Sequence, residues 1–150
     1  MEESKMMYEL KGVCVRLCED RSLYSTCPIS CPEDLVGLLR SEMETYDREH
    51  LLLVCLNNRN QPINVSTVAI GGLSGAAFEV ASIYKTALLS NAKYIMLAHN
   101  HPSGDPSPSD DDFNVTRKIR EAGELLGIRL LDHIVVGNGN YYSFLERGTL

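Results

Sequence analysis

Residues 94–112, YIMLAHNHPSGDPSPSDDD, carry the signals that decide the fold. The apolar run at 94–98 is short and gives way to polar residues, which predicts a buried strand. Three prolines and a glycine follow within 99–109 and predict an irregular loop. Ser109 is a natural N-cap, and three acidic residues come directly after it, where a helix dipole favours negative charge. The stretch therefore predicts a strand, a tight loop and a helix in direct succession.

Helix and strand patterns alternate on both sides of this stretch. Apolar residues spaced three and four apart predict helices over 32–47, 76–92 and 109–127. Short apolar or alternating runs predict strands, the first two of them as a hairpin, over 51–56, 63–70, 94–98, 128–137 and 141–144. Strands mixed with helices in this way indicate the α/β class.

The opening residues predict one more strand. Val13, Val15 and Leu17 alternate with polar residues, which is the pattern of a strand with one buried face. No internal repeat or linker interrupts the sequence. We therefore expect a single domain over 1–150, in which a strand and a helix from 1–45 pack on a core formed by 46–150.

Size and composition narrow the class of protein. A chain of 150 residues with 44% hydrophobic and 23% charged residues is typical of a globular domain. It contains neither a membrane-length apolar run nor a signal-peptide pattern, and its five cysteines are an odd number, so we expect a cytoplasmic protein with reduced thiols. The net charge of −6 makes direct binding to nucleic acid unfavourable, although Arg117, Lys118 and Arg120 form a local basic run.

Two histidines and an aspartate predict a metal site. In extended backbone, His99 and His101 share one face about 7 Å apart, while Asn100 points the other way. The loop then brings Asp112 to the first turn of the next helix. Two imidazoles and one carboxylate suit one zinc ion and leave a fourth position open, which is typical of catalytic zinc. A simpler interpretation of Asp112 is the acidic residue of a helix capping box.

A hydrolytic zinc site also needs a base for the attacking water. Spacing alone does not choose among the glutamates, of which the candidates are Glu42, Glu44, Glu49 and Glu79. Glu49 has a weak advantage because it directly precedes a predicted buried strand.

Ser109 has two interpretations, as a helix cap or as a donor to the oxyanion of the reaction. Asp105, Asp110 and Asp111 also lie near the histidines. A turn or the helix dipole explains each of them without a catalytic role.

Glu49, the spacing His-x-His-x7-Ser-x2-Asp in 99–112, and LLDHIVVG at 130–137 together resemble the RadC-like branch of the JAMM (MPN+) metalloprotease superfamily. The resemblance covers Tyr46–Leu150. It implies a single-domain α/β/α sandwich with a central mixed sheet and a cytidine-deaminase-like (JAB/MPN) core. Longer members carry an N-terminal helix-hairpin-helix region, whereas only 48 residues precede Glu49, so the likeness is to a short form.

The same resemblance assigns roles to five residues. It implies that Glu49 is the general acid/base and that Ser109 assists the oxyanion. It also implies one zinc ion per chain, held by His99, His101 and Asp112. Characterised members of the superfamily hydrolyse amide or isopeptide bonds. The expected activity is therefore that of a zinc metallopeptidase acting on a peptide or protein.

Other combinations of residues fit a metal site or an active site less well. Residues four apart along a strand lie about 13 Å apart, too far to share one zinc ion, so a second site is not expected from the four N-terminal cysteines Cys14, Cys18, Cys27 and Cys31. Zinc deaminases require His-x-Glu where this chain has His-x-His. His133 is interpreted as a hydrogen-bonded sheet histidine, or else as a residue behind the metal ligands or facing the substrate. His50 is expected to point away from the site.

Two classes of function remain. The first is a zinc-dependent hydrolase. The second is a non-catalytic or DNA-repair-associated scaffold that retains the metal loop and acts through partners. A complete set of three ligands, a base and a serine favours the hydrolase, because a scaffold does not need all five.

Overall fold

The computed structural model describes residues 10–71 and 79–150. In chain order, the helices and strands of these ranges are α1 (Pro32–Met43), β1 (His50–Leu56), β2 (Pro62–Ile70), α2 (Val80–Leu89), β3 (Tyr94–Asn100), α3 (Asp110–Leu126), β4 (Arg129–Val136) and β5 (Tyr141–Ser143). None of the helices in these ranges combines the length and the apolar character that crossing a bilayer would need.

The five strands form one mixed sheet in the order β2-β1-β3-β4-β5. β1 is antiparallel to both β2 and β3, and β4 is antiparallel to β5. β3 and β4 are parallel, and α3 is the crossover between them. The predicted hairpin of β1 and β2 and the mixed character of the sheet are confirmed.

Helices cover both faces of the sheet. Alternate residues of β1 explain why: Leu51 and Leu53 pack with α2 and α3 on one face, whereas Leu52 and Val54 pack with α1 on the other. All four leucine and valine side chains are at most 1% exposed. A strand buried on both faces needs a continuous apolar run rather than an alternating one. The predicted α/β/α sandwich is confirmed.

The predicted N-terminal strand is wrong. Residues 10–24 form no strand, and Val13 and Val15 are 88% and 66% exposed. An alternating pattern gives a strand only where a neighbouring strand takes up its backbone hydrogen bonds, and no described strand pairs with this segment. The helix that was predicted within residues 1–45 does form, as α1, and packs on the sheet.

The boundaries of two helices were predicted too broadly. α1 ends at Met43, short of the predicted residue 47, and α2 ends at Leu89, short of the predicted residue 92. α2 begins at Val80, and residues 76–78 of the predicted helix lie outside the described ranges. The ends of α3 are as predicted: Ser109 is its N-cap, and Gly127 ends it in the left-handed conformation with φ 70°.

Candidate metal centre

Four side chains from three different elements meet at one end of the sheet. Glu49 directly precedes β1, His99 lies near the end of β3, His101 follows β3, and Asp112 lies in the first turn of α3. One ligand atom from each lies within 4.8 Å of those of the others. The antiparallel pairing of β1 with β3, in which Leu51 faces His99, brings the start of one strand to the end of the other.

The distances among the three predicted ligands suit a single small cation. Nε2 of His99 lies 3.1 Å from Nε2 of His101 and 3.3 Å from Oδ1 of Asp112, and Nε2 of His101 lies 3.7 Å from Oδ2 of Asp112. Two donors bound tetrahedrally to zinc at 2.0–2.1 Å are themselves about 3.3 Å apart. The observed spacings cluster around this value, so the three residues fit a zinc ion.

Glu49 is the outer member of the group. Its Oε1 lies 3.9 Å from Nε2 of His99, farther than the 3.3 Å that separates Asp112 from the same atom. The side chains of His99 and Asp112 are 0% and 2% exposed, whereas those of Glu49 and His101 are 22% and 17% exposed. The cluster is therefore closed on its inner side and accessible to solvent on the side of Glu49 and His101.

Ser109 and Asp112 form a complete capping box. The backbone N–H and the hydroxyl of Ser109 donate to Oδ2 of Asp112 at 2.6 and 2.8 Å, and the backbone N–H of Asp112 donates to Oγ of Ser109 at 3.2 Å. Oδ1 of Asp112 faces His99. The capping interpretation of Asp112 is thus satisfied together with its position in the cluster, since its two oxygens point to different partners.

The electrostatics of the cluster favour a positive charge at its centre. Burial opposes ionisation of Asp112, but its contacts with His101 and His99 outweigh burial and hold the pKa of this carboxyl far below its usual range. The same contact with Asp112 raises the pKa of His101 despite partial burial of that ring. Both shifts have one cause, which is the attraction between the buried carboxylate of Asp112 and the neighbouring imidazoles.

His133 lies directly behind His99. Its Nε2 is 2.8 Å from Nδ1 of His99, and its Nδ1 is 2.6 Å from Oγ1 of Thr116. The ring is 0% exposed and stacks on Phe144 with 5.0 Å between ring centroids. Burial lowers the pKa of His133 well below its usual value. Of the alternatives open from sequence, the substrate-facing one is wrong because His133 is fully buried and His99 separates it from the accessible side.

Asn100 and Thr116 support the cluster and were not assigned such roles from sequence. Asn100 accepts a hydrogen bond from the backbone of His50 at 2.8 Å and donates to the carbonyl of Arg48 at 3.0 Å, so it holds the chain on both sides of Glu49. Thr116 lies one helical turn after Asp112, and this spacing of four could have indicated that the two residues share a face of α3.

Several other residues that the sequence offered as candidates lie outside the cluster. The ring of His50 stacks on that of Tyr46, with 3.8 Å between the ring centroids. The carboxylate of Glu42 accepts a hydrogen bond from the Tyr46 hydroxyl at 2.6 Å, so Glu42 lies with this pair and outside the cluster. The four N-terminal cysteines are exposed, and no group able to hold a metal includes them within 10–71 and 79–150. Asp105 accepts from the backbone of Ser107 in a turn, as expected.

Comparisons with known proteins point to one family. A family model described as "RadC-like JAB domain" matches residues 29–149. A UPF0758 protein of Desulfitobacterium hafniense is 40% identical over 81% of this chain and 54% of its own length. A UPF0758 protein of Moorella thermoacetica is 44% identical over 79% of this chain and 52% of its own length. The chain thus spans about half the length of these relatives.

Proposed function

The chain belongs to the RadC-like JAB domain family, and from this membership we propose that it is a zinc-dependent hydrolase that cleaves peptide or isopeptide bonds with an activated water. The single observation that carries the proposal is the group formed by Glu49, His99, His101 and Asp112. Two imidazoles, one buried carboxylate and one partly exposed carboxylate are the residue types that such a reaction needs.

Three residues take the metal-binding role in this proposal. His99, His101 and Asp112 have mutual donor distances of 3.1–3.7 Å, near the value for a tetrahedral zinc ion. A bound zinc ion supplies Lewis acidity, which polarises a carbonyl or lowers the pKa of water. The protein fixes the donors: Asp112 is held by both polar groups of Ser109, and His101 is held through Nδ1, which lies 2.7 Å from the carbonyl oxygen of Asp105.

Glu49 takes the proton-transfer role. Its carboxylate lies at the solvent-accessible side of the cluster, 3.9 Å from His99 at the nearest approach. From there it accepts a proton from the attacking water and returns it to the amine that leaves. Its backbone is fixed by Asn100 and by the Gly71 N–H, which donates to the Glu49 carbonyl at 2.7 Å. These contacts fix the backbone that carries the proposed base.

Ser109 takes the role of oxyanion donor. Its hydroxyl lies beside the cluster and donates to Oδ2 of Asp112 at 2.8 Å. When a substrate carbonyl approaches, rotation of this hydroxyl redirects its proton to the developing negative charge. The helix cap survives the rotation in part, because the Ser109 backbone N–H donates to the same carboxylate oxygen at 2.6 Å.

The substrate in this proposal is a peptide or protein, and the location is the cytoplasm. A net charge of −6 disfavours direct binding to nucleic acid. The scaffold alternative differs in one measurable respect, since a scaffold does not turn over a bond. Cleavage is therefore the property that separates the two functions.

The test is a library of peptides and lysine-linked isopeptides incubated with the zinc-loaded chain. We expect cleavage of a subset, and no cleavage above background by Glu49→Gln protein at equal zinc content. Mass spectrometry of the products locates the bond. A zinc-loaded, folded chain that cleaves no member of the library would contradict the hydrolase function and favour the scaffold. Equal cleavage by both proteins would remove Glu49 from the reaction.

A further inference from the structure

We propose that Thr116 and His133 are positioning residues that fix the tautomer of His99, so that its Nε2 lone pair faces the cluster and its proton is on Nδ1. This inference rests on the proposed metal site, because only a metal ligand needs that tautomer. It is argued from hydrogen bonds that run from the backbone carbonyl of Asp112 through Thr116 and His133 to His99, whose Nε2 lies beside the carboxylate of the same Asp112.

The chain begins at the hydroxyl of Thr116. Its Oγ1 lies 2.6 Å from the backbone carbonyl oxygen of Asp112. A carbonyl can only accept, so the single hydroxyl proton of Thr116 is committed to this bond. The same Oγ1 lies 2.6 Å from Nδ1 of His133. Since the hydroxyl has no second proton, Nδ1 of His133 must carry the proton and donate it to Thr116.

The next link is the neutral ring of His133. The residue is 0% exposed and stacks on Phe144, and a charged imidazole in such surroundings loses its hydration. A neutral imidazole that is protonated on Nδ1 has a lone pair on Nε2. That Nε2 lies 2.8 Å from Nδ1 of His99 and accepts its proton. His99 is therefore protonated on Nδ1.

The last link faces the cluster. With its proton on Nδ1, His99 presents a lone pair on Nε2, which lies 3.3 Å from Oδ1 of Asp112 and 3.1 Å from Nε2 of His101. His101 is oriented in the same sense, because its Nδ1 lies 2.7 Å from the Asp105 carbonyl and must donate to it. Two lone pairs at this separation repel unless a cation lies between them. The tautomers and the donor spacing thus both indicate a cation between the two histidines.

His99 differs from His101 in how its tautomer is held. A backbone carbonyl orients His101, whereas side chains of β4 and α3 orient His99. Asp112 contributes its carboxylate to the cluster and its carbonyl to Thr116, so one residue closes the loop. Groups that orient a metal-bound histidine typically change metal affinity about 10–100-fold when they are removed.

The experiment compares wild-type protein with Thr116→Val and Thr116→Ser. Valine keeps the shape but cannot accept the His133 proton, so His133 reverses its tautomer and forces the proton of His99 onto Nε2. We expect zinc affinity, measured by competition with a chromophoric chelator, to fall about 10–100-fold in Thr116→Val. Serine keeps the hydroxyl and should restore the affinity to near the wild-type value. If Thr116 had only a structural role, its replacement would not change the tautomer of His99, which nitrogen-15 NMR measures.

Nitrogen-15 NMR of the metal-free protein at mildly alkaline pH reads the tautomers directly. We expect the proton of His99 on Nδ1 in wild type and on Nε2 in Thr116→Val. A wild-type His99 protonated on Nε2 would overturn the inference even if the valine variant did not fold. So would unchanged zinc affinity in a folded Thr116→Val protein. Failure of wild type to bind zinc would instead refute the proposed function, and the metal-free tautomers would still test the hydrogen-bond chain.

Discussion

Oε1 of Glu49 lies 3.9 Å from Nε2 of His99, although Glu49 directly precedes β1 and His99 lies in β3. The ladder between β1 and β3 ends at the pair of Leu51 and His99, and Glu49 lies two residues before Leu51 while His101 lies two residues after His99. The antiparallel pairing therefore brings the acid to the histidines. A shift of one residue in this register would turn the Glu49 side chain to the opposite face of the sheet.

Glu49→Gln should strongly reduce activity and leave zinc binding unchanged. Glutamine keeps the shape and hydrogen-bonding capacity of glutamate but cannot accept the proton of the attacking water. Since general acid–base catalysis contributes about 10²–10⁴-fold, we expect kcat to fall by that factor with KM little changed. Zinc affinity and thermal stability should match wild type. A large loss of zinc affinity would instead make Glu49 a fourth ligand.

Ser109 can be tested with two substitutions that affect its two roles differently. Alanine removes both the cap and the hydroxyl and should cost about 1 kcal/mol of stability, whereas glycine is a tolerated N-cap and should cost a few tenths. If the hydroxyl stabilises the oxyanion, both variants should lose about 10²–10³-fold in kcat. Urea denaturation and kinetics measure the two effects. Near wild-type activity in Ser109→Gly would leave the serine as a cap alone.

Asn100→Ala should weaken the site without removing a ligand. The side chain is 7% exposed and bonds to the backbone of Arg48 and His50 on both sides of Glu49. Its loss leaves a partly buried N–H of His50 and the carbonyl of Arg48 without these partners, which costs at most about 1–3 kcal/mol. We expect lower stability in urea and a lower kcat with zinc affinity near wild type, because Glu49 loses its alignment. Unchanged stability would show that water replaces the amide at no cost.

The convergence of the histidines with Asp112 could be predicted because these residues are local in sequence. His99, His101 and Asp112 lie within one strand, loop and helix, so their spacing alone indicated that they could converge. The position of Glu49 in the cluster depends on the pairing of β1 with β3, which no local sequence pattern specifies. Its place in the sequence therefore favoured it only weakly over the other glutamates as the base. His133 and Thr116 come from β4 and α3, and their contacts with His99 and with each other arise only when the sheet and helix pack.

The predicted N-terminal strand failed for a related reason. The alternation at Val13, Val15 and Leu17 indicates a possible strand but does not specify a neighbouring strand with which it could pair. The apolar core strand β1, by contrast, was predictable because burial on both faces requires a continuous apolar run.

Thiol reactivity provides a test of the fold that does not depend on catalysis. Cys55 is 0% exposed, and burial raises its pKa to about 11, so its reactive thiolate is scarce until the pH rises to that value. The four N-terminal cysteines are exposed. At pH 8, Ellman's reagent should therefore modify four thiols of the reduced native protein rapidly and the fifth only after denaturation. Rapid reaction of all five would contradict the burial of β1.

Calorimetric titration of zinc into metal-free protein tests the central claim most directly. We predict one site per chain in wild type and loss of that site in His101→Ala, with circular dichroism showing that the variant remains folded. The fold should survive because the apolar contacts on both faces of the sheet do not involve the metal. Absence of zinc binding by the folded wild-type chain, or equal binding by His101→Ala, would contradict the assignment of His99, His101 and Asp112 as the metal ligands.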